Sequence, residues 1–151
     1  MKKVDLFAVA MIIAAQGFSQ NMSVIDQGKV NTANVYQEST IGTLYNYSDV
    51  YQRGENDTDI DQIGENSSFV RQKGNSNSAT VYQIGGDGLT GYGSAIMQES
   101  EVYQKGKNNL AGVMQLGEGN KSYINQINNE GGGHSPSKIG NKALIDQEGL
   151  N

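Results

Sequence analysis

The stretch NSSFVRQKGNSNSATVYQ, residues 66–83, contains one heptapeptide twice. Each copy has the form Asn-x-small-x-Val-x-Gln; the first runs from Asn66 to Gln72 and the second from Asn77 to Gln83. The defining residues stand at positions 0, +2, +4 and +6, so they share one face of a β-strand. A helix would distribute these positions around its circumference, so the period of two predicts strands.

The same pattern continues along the chain. Nine copies begin with asparagine, and two further copies, ending at Gln98 and Gln104, have Tyr92 and Gln98 in that position. Of thirteen glutamines, only Gln16 and Gln20 do not end a copy. The asparagine-led copies are residues 21–27, 31–37, 46–52, 56–62, 66–72, 77–83, 109–115, 120–126 and 141–147.

The inward face of each predicted strand carries two amides, and an isolated strand could not bury them without a free-energy penalty. Stacked on an identical strand about 4.8 Å away, each amide bonds to the amides above and below it. We therefore predict amide ladders. Their predicted members are Gln27, Gln37, Gln52, Gln62, Gln72, Gln83, Gln104, Gln115, Gln126, Gln147, Asn31, Asn56, Asn77, Asn109 and Asn141.

Turns and the small residue at +2 predict how the strands pair. Gln-x-Gly follows seven copies, and glycine accepts the positive φ of a tight reversal. The small residue alternates between serine and alanine or threonine, which indicates two strands in each rung. We predict an all-β solenoid over residues 20–151 with rungs at 23–37, 48–62, 68–83, 100–115 and 122–147. The copy ending at Gln98 is then an orphan in a loop; as a true strand it would leave only a few residues before Ser100.

The N-terminal region resembles a secretory leader. Lysines at positions 2 and 3 precede a ten-residue apolar stretch, residues 6–15, and Ser19 supplies a small residue for cleavage before Gln20. A membrane anchor is the alternative, but ten apolar residues are too short for a bilayer core of about 30 Å. We predict a helical signal peptide over residues 1–19.

These repeats resemble the curlin repeat of bacterial curli subunits. Two segments carry the resemblance most closely: Ser68, Gln72, Gly74, Asn77, Ala79 and Gln83, and then Ser100, Gln104, Gly106, Asn109, Ala111 and Gln115. The resemblance covers residues 21–149. It implies a β-solenoid that polymerises with itself and other curlin subunits into adhesive, biofilm-supporting extracellular fibres, after export through outer-membrane secretion machinery.

The chain also departs from the family's major subunit. Several turns are one residue short, and irregular loops occupy residues 84–99 and 127–139. The major subunit has a targeting segment before its first repeat, whereas Asn21 begins the first copy here, so no residue is assigned that role. The irregularity favours a minor or nucleating subunit over a major one.

The expected function lies at the ends of the stack. A solenoid needs polar caps on its terminal repeats to remain a soluble monomer, and the repeats begin and end without an evident cap. We expect open strand edges that template further copies, and a chain that folds when it meets a fibre end. A monomeric solenoid adhesin or surface-binding module is the alternative; it would need caps and a regular outer face.

Outward positions are irregular, and we expect their charges to limit lateral clumping. Four tyrosines at the position before glutamine serve either strand packing or an exposed aromatic row. The predicted charged residues are Asp57, Asp59, Asp61, Arg71, Glu101, Lys121 and Lys142, and the tyrosines are Tyr36, Tyr51, Tyr82 and Tyr103.

Other classes of function lack support. A net charge of −5 and the absence of a basic patch argue against nucleic-acid binding. The chain has no cysteine and one histidine, His134, so no catalytic triad is predicted. The three aspartates from Asp57 to Asp61 lack a completing calcium motif, and Asp87 stands alone. We predict no metal, cofactor, small-molecule substrate or enzymatic activity.

Overall fold

The computed structural model describes the backbone of residues 8–14, together with residues 21–28, 30–38, 46–85, 97–128 and 140–149. These residues form nine strands: β1 Ala8–Ala14, β2 Met22–Gln27, β3 Asn31–Glu38, β4 Asn46–Ile63, β5 Asn66–Ile84, β6 Gln98–Lys107, β7 Leu110–Leu116, β8 Lys121–Ile127 and β9 Lys142–Glu148. All strand pairs are parallel. The described part of the chain contains no apolar helix of membrane-spanning length. The predicted all-β class is confirmed.

The strands stack in two columns. The first column consists of β2, the first halves of β4 and β5, then β6 and β8. The second column consists of β3, the second halves of β4 and β5, then β7 and β9. One segment from each column makes a rung, and the described strands β2 to β9 form five rungs. The predicted solenoid with two strands per rung is therefore confirmed.

Equivalent positions of the heptapeptide lie directly above one another, because neighbouring strands pair without a register offset. The branched aliphatic residues form the centre of the core between the columns, and Val50, Ile60, Val81 and Val102 are fully buried there. Alternate side chains point outward, as the alternating burial along β3 shows. The aliphatic rows are Ile25, Val50, Val70, Val102 and Ile124 in the first column, and Val35, Ile60, Val81, Val113 and Ile145 in the second.

Each rung has a connecting segment between its first-column and second-column strands, here called an arc. The arcs accommodate the differences in repeat length. The arc inside β5 is one residue longer than the arc inside β4, and the register shifts by that residue between Glu55 and Asn56. Ser76 is the extra residue, and its φ of 58° is left-handed; Asn108 has a φ of 57° at the equivalent place. The strands beyond each arc consequently remain in register.

The leader differs from the prediction. A helix was expected, but Ala8–Ala14 forms β1, which pairs in parallel with β3 and places Ile12 opposite Val35. Strand pairing satisfies the backbone groups on the edge of β3, and the β-branched residues of this segment favour a strand. Ser19 and Gln20 lie outside the described residues, so cleavage between them stays a prediction.

The expectation that Gln98 lies in a loop is wrong. Gln98 begins β6, is fully buried, and is in register with Asn66. Gln98 holds position 0 of its repeat, where other copies have asparagine, and the strand starts there. The other residues of that copy from Tyr92 to Ile96 lie outside the described residues.

Candidate functional site: amide ladders and open ends

The last glutamine of each heptapeptide belongs to a continuous ladder. Each Nε2 donates to the Oε1 of the glutamine in the following rung, at 2.7–2.9 Å. The donor always belongs to the earlier rung. The first-column ladder contains Gln27, Gln52, Gln72, Gln104 and Gln126, and the second-column ladder contains Gln37, Gln62, Gln83, Gln115 and Gln147.

A second hydrogen bond fixes the direction of both glutamine ladders. The Nε2 of Gln72 also donates to the Asp57 carbonyl in the opposite column at 2.9 Å, and Gln83 bonds to the Ser67 carbonyl at 3.2 Å. A carbonyl can only accept, so the nitrogen must face it. With one N–H of the Nε2 group bonded to this carbonyl, the other N–H points at the glutamine of the next rung. These bonds also join the two columns across the core.

Asparagines form a ladder in the second column with the opposite direction. Asn77 Nδ2 donates to Asn56 Oδ1 at 2.8 Å, and Asn109 Nδ2 donates to Asn77 Oδ1 at 2.9 Å. Asn56 contacts Asn31 in the same way at 3.3 Å, and the backbone N–H of Asn141 donates to Asn109 Oδ1 at 3.2 Å. Here the donor always belongs to the later rung.

The first column has an asparagine ladder that was absent from the predicted set. Asn46 Nδ2 donates to Asn21 Oδ1 at 3.3 Å, and Asn66 Nδ2 donates to Asn46 Oδ1 at 3.0 Å. The signal was present in the sequence, because these asparagines hold position 0 of the same heptapeptide. The ladder stops at Gln98, whose Nε2 donates to the carbonyls of Ile84 and Gly117 instead.

Glycines let the arcs stack as closely as the strands. Gly54 and Gly74 have φ values of 111° and 119°. A Cβ at Gly54 would lie 1.9 Å from the Gly74 carbonyl oxygen, and a Cβ at Gly74 would lie 1.9 Å from that of Gly106. Both the conformation and the space therefore require glycine.

The two ends of the stack present complementary amides. In the last rung, Gln126 and Gln147 each bond one Nε2 hydrogen to a backbone carbonyl, and no described amide accepts the other. In the first rung, no described amide donates to the Oε1 of Gln27 or Gln37. The buried Nδ2 of Asn31 likewise lacks a partner among the described residues.

The backbone edges at the ends differ. β8 and β9 each pair on one side only within the described residues, and so does β2. The edge of β3, in contrast, is covered by β1. Among the described strands, the end formed by the last rung is thus open in both columns, whereas the end formed by the first rung is open in the first column alone.

The predicted tyrosines divide between the two outer faces. Tyr36 and Tyr82 lie in one second-column row with Asp61 between them, and Tyr51 and Tyr103 flank Arg71 in the first column. All four tyrosines are half-buried. The guanidinium of Arg53 also lies 4.4 Å from the centroid of the Tyr51 ring.

The predicted charged residues also divide by face. Asp57, Asp59, Asp61 and Lys142 project from the second column, and Arg71, Glu101 and Lys121 project from the first. Burial raises the pKa of Asp61 above its ordinary value, with further contributions from Asp59 and Glu38. Glu38 accepts a hydrogen bond of 2.8 Å from the Tyr36 hydroxyl, which raises the pKa of Tyr36.

No other chemical site appears in the described ranges. They contain no cluster of three histidine, cysteine, aspartate or glutamate side chains placed to hold a metal ion. His134 and Asp87 lie outside these ranges. The ladders and the ends of the stack are therefore the features on which a functional argument can rest.

Comparison with known families identifies the repeat. The family model of the curlin associated repeat matches residues 54–85 and residues 101–127. The first match covers the second half of β4 and all of β5, and the second covers β6 from residue 101 onward, β7 and β8. No curated protein and no solved structure matches the chain.

Proposed function

We propose that this chain, whose residues 54–85 and 101–127 match the curlin associated repeat, is a secreted fibre subunit of the curlin family that stacks head to tail on copies of itself and on other curlin subunits. In this proposal it passes through outer-membrane secretion machinery after loss of residues 1–19. The fibre then lies at the cell surface and supports adhesion and biofilm formation. The curlin family consists of structural amyloid subunits and is not a family of enzymes.

The observation that carries the proposal is the opposite direction of the glutamine and asparagine ladders. The last rung offers glutamine donors from Gln126 and Gln147 to an incoming first rung. That first rung offers the acceptors of Gln27 and Gln37 and the buried donor of Asn31. The glutamine donors at one end thus have glutamine acceptors at the other.

The reverse arrangement is disfavoured. Two last rungs facing each other would place glutamine donors against glutamine donors. Their strands would also run antiparallel, whereas all described strand pairs within the chain are parallel. Burying a polar group without a partner costs about 1–3 kcal/mol. A head-to-tail contact also cannot close on itself, so it produces a fibre and not a ring.

Burial supports assembly as well. Ile25 in the first rung and Ala143 and Ile145 in the last pack against the core but remain half-buried. Their counterparts in inner rungs are fully buried, for example Val50 and Ala111. Stacking would complete the burial of apolar surface, which contributes about 25 cal/mol for each Å² removed from water.

Within the family we propose a minor or nucleating role. The repeats differ in arc length, the ladder is interrupted at Gln98, and one rung carries three aspartates at alternate positions. A subunit of this kind suits the start of a fibre better than its bulk, because uniform repeats stack best on themselves.

A monomeric solenoid adhesin remains the second candidate, and β1 is the observation in its favour. In the uncleaved chain β1 covers the edge of β3, as a cap would. Leader removal separates the two functions, because the fibre subunit would then assemble and the adhesin would stay monomeric.

The test uses the purified chain without residues 1–19. We expect cross-β fibres with diffraction near 4.8 Å, and we expect substoichiometric amounts to shorten the lag of a second curlin subunit. Lasting monodispersity would favour the adhesin. Fibres that fail to seed the second subunit would contradict the nucleating role alone.

A further inference from the structure

The outer faces of the columns carry charges that the ladders do not use. Arg53, Lys73 and Lys105 occupy one register row in three consecutive rungs of the first column. Arg53 forms an ion pair with Asp26 at 2.9 Å. Lys73 and Lys105 are exposed, and neither has an ion-pair partner within the described residues. Lys73 and Lys105 stack about 4.8 Å apart and repel each other, so these two members of the basic row carry uncompensated positive charge.

The second-column face has the opposite sign. Asp57, Asp59 and Asp61 alternate along the outer side of β4, and Glu38 lies in the adjacent rung near Asp61. Six carboxylates project from this face within the described strands, against the single cation of Lys142. The carboxylates are those of Glu38, Asp57, Asp59, Asp61, Asp146 and Glu148.

The first-column face is close to neutral by comparison, with five cations and four carboxylates. Two of its carboxylates already bind cations of the same face, since Lys121 contacts Glu99 at 3.0 Å and Arg53 contacts Asp26. The cations are Arg53, Arg71, Lys73, Lys105 and Lys121, and the carboxylates are Asp26, Asp49, Glu99 and Glu101.

We propose that fibres of this chain pair side by side, with the basic row of one fibre against the acidic second-column face of another. The inference rests on the proposed fibre, in which each chain contributes both faces once every five rungs, or about 24 Å. Both charge patterns repeat with that same period, so the contact can recur along the whole fibre. The partner is a second copy of this chain, because the chain itself carries both complementary surfaces.

Each surface gains from the contact. A partner's carboxylates would offset the repulsion between Lys73 and Lys105, and a partner's cations would offset that among Asp57, Asp59 and Asp61. Beside the basic row lies a groove whose lining includes the rings of Tyr51, Phe69 and Tyr103. Its charged lining residues are Arg71, Asp49, Glu99 and Glu101, so the groove offers ring surfaces for packing, and the attraction for a partner's carboxylates comes from the basic row. Because charge dominates the contact, we expect it to weaken with salt as the screening length falls from about 8 Å at 0.15 M to about 3 Å at 1 M.

The test separates elongation from bundling on fibres grown from the secreted chain. Elongation is followed by seeded amyloid-dye fluorescence, and bundling by fibre width in electron micrographs and by low-speed sedimentation. We expect the double variant Lys73→Glu, Lys105→Glu to elongate at an unchanged rate, within about twofold, and to lose bundles. The double variant Asp57→Lys, Asp59→Lys should also yield single fibres, and mixing the two preformed fibres should restore bundles.

Lys142→Glu is the matched control for Lys105→Glu, because it changes the net charge equally but lies on the acidic face. The control should bundle like the unmodified chain. Equal loss of bundling in both single variants, bundles that persist at 1 M salt, or mixed reversed fibres that stay apart would overturn the proposal. If reversal of the basic row left bundling intact but abolished binding of dextran sulfate, the row would serve an acidic polymer, and lateral pairing would be rejected. Failure to form any fibre would instead count against the proposed function.

Discussion

Asn66 and Gln98 are register partners in the first column, yet their amides do not bond to each other. Gln98 Nε2 donates to two backbone carbonyls, which leaves Asn66 Oδ1 and Gln98 Oε1 buried without partners. At the preceding step Asn66 Nδ2 donates to Asn46 Oδ1 at 3.0 Å. The ladder is thus interrupted between the third and fourth rungs, where glutamine replaces asparagine.

Restoring the asparagine should repair this step. We predict that Gln98→Asn stabilises the fibre by about 1–3 kcal/mol, since a buried polar group without a partner costs roughly that much. The measurement is the guanidinium concentration that dissolves half of the fibre. Gln98→Leu serves as the control, because it removes the amide without completing the ladder. A lower midpoint for Gln98→Asn than for the unmodified chain would refute the interpretation.

An interior glutamine should matter far more than an exposed amide. Gln72 accepts hydrogen bonds from Gln52 and Thr58, and it donates to Gln104 and the Asp57 carbonyl. We predict that Gln72→Leu destabilises the fibre by about 3 kcal/mol or more, because several buried groups lose partners at once. Asn125→Leu, on the exposed side of β8, should change the dissolution midpoint little. Equal effects of the two substitutions would count against the ladder as the source of stability.

An arc glycine, Gly74, and a strand glycine, Gly112, permit a direct comparison. Gly74→Ala should abolish elongation, because a Cβ there meets the Gly106 carbonyl at 1.9 Å and the φ of 119° is left-handed. Gly112→Ala should be tolerated, because its Cβ would meet only the end of the Leu144 side chain, at 2.7 Å. Elongation rates of the two variants decide the point, and normal growth of Gly74→Ala would be incompatible with stacked arcs.

Stability should rise on acidification. Burial raises the pKa of Asp61 above its ordinary value of 3.8, so the folded state favours the protonated form. Its stabilising contribution is complete below pH 3.8 and is lost as the pH rises through the raised pKa. Burial raises the pKa of Glu65 above 4.5 in the same direction.

We therefore expect the denaturant midpoint of fibre dissolution to decrease as the pH is raised from about 4 to neutrality. The substitution Asp61→Asn should reduce this pH dependence. Asp146→Asn, on the same face, is the matched carboxylate control. If the midpoint of the unmodified chain rises with pH over this interval, the assignment to Asp61 is wrong.

Much of the fold follows from the heptapeptide itself. The defining residues of a heptapeptide, such as Ser68, Val70 and Gln72, stand two positions apart. The sequence therefore reveals which side chains of a strand face inward. Since Val50 and Val102 recur in the same context, stacking in register is the arrangement that buries all of them. The two-strand rung followed from the alternation of serine with alanine or threonine.

Other features depend on contacts between distant residues. The direction of a glutamine ladder is set by a carbonyl in the opposite column, such as that of Asp57 for Gln72. The place of Gln98 depends on register with Asn66, which loop length alone does not fix. The basic row on one face and the excess of carboxylates on the other emerge only after the arcs assign each segment to a column.

Cross-linking between copies tests head-to-tail stacking most directly. Val24 and Tyr123 are exposed at the same row of the first and last rungs, and the chain has no cysteine. In the proposed fibre, residue 24 of one copy lies about 4.8 Å from residue 123 of the next, within the Cα separation of about 4.4–6.8 Å that a disulfide permits.

The decisive measurement is non-reducing electrophoresis of oxidised fibres grown from the double variant Val24→Cys, Tyr123→Cys. Head-to-tail stacking predicts a ladder of covalent multimers from the double variant and monomers from each single variant. Covalent dimers from either single variant, or monomers alone from the double variant, would contradict head-to-tail stacking.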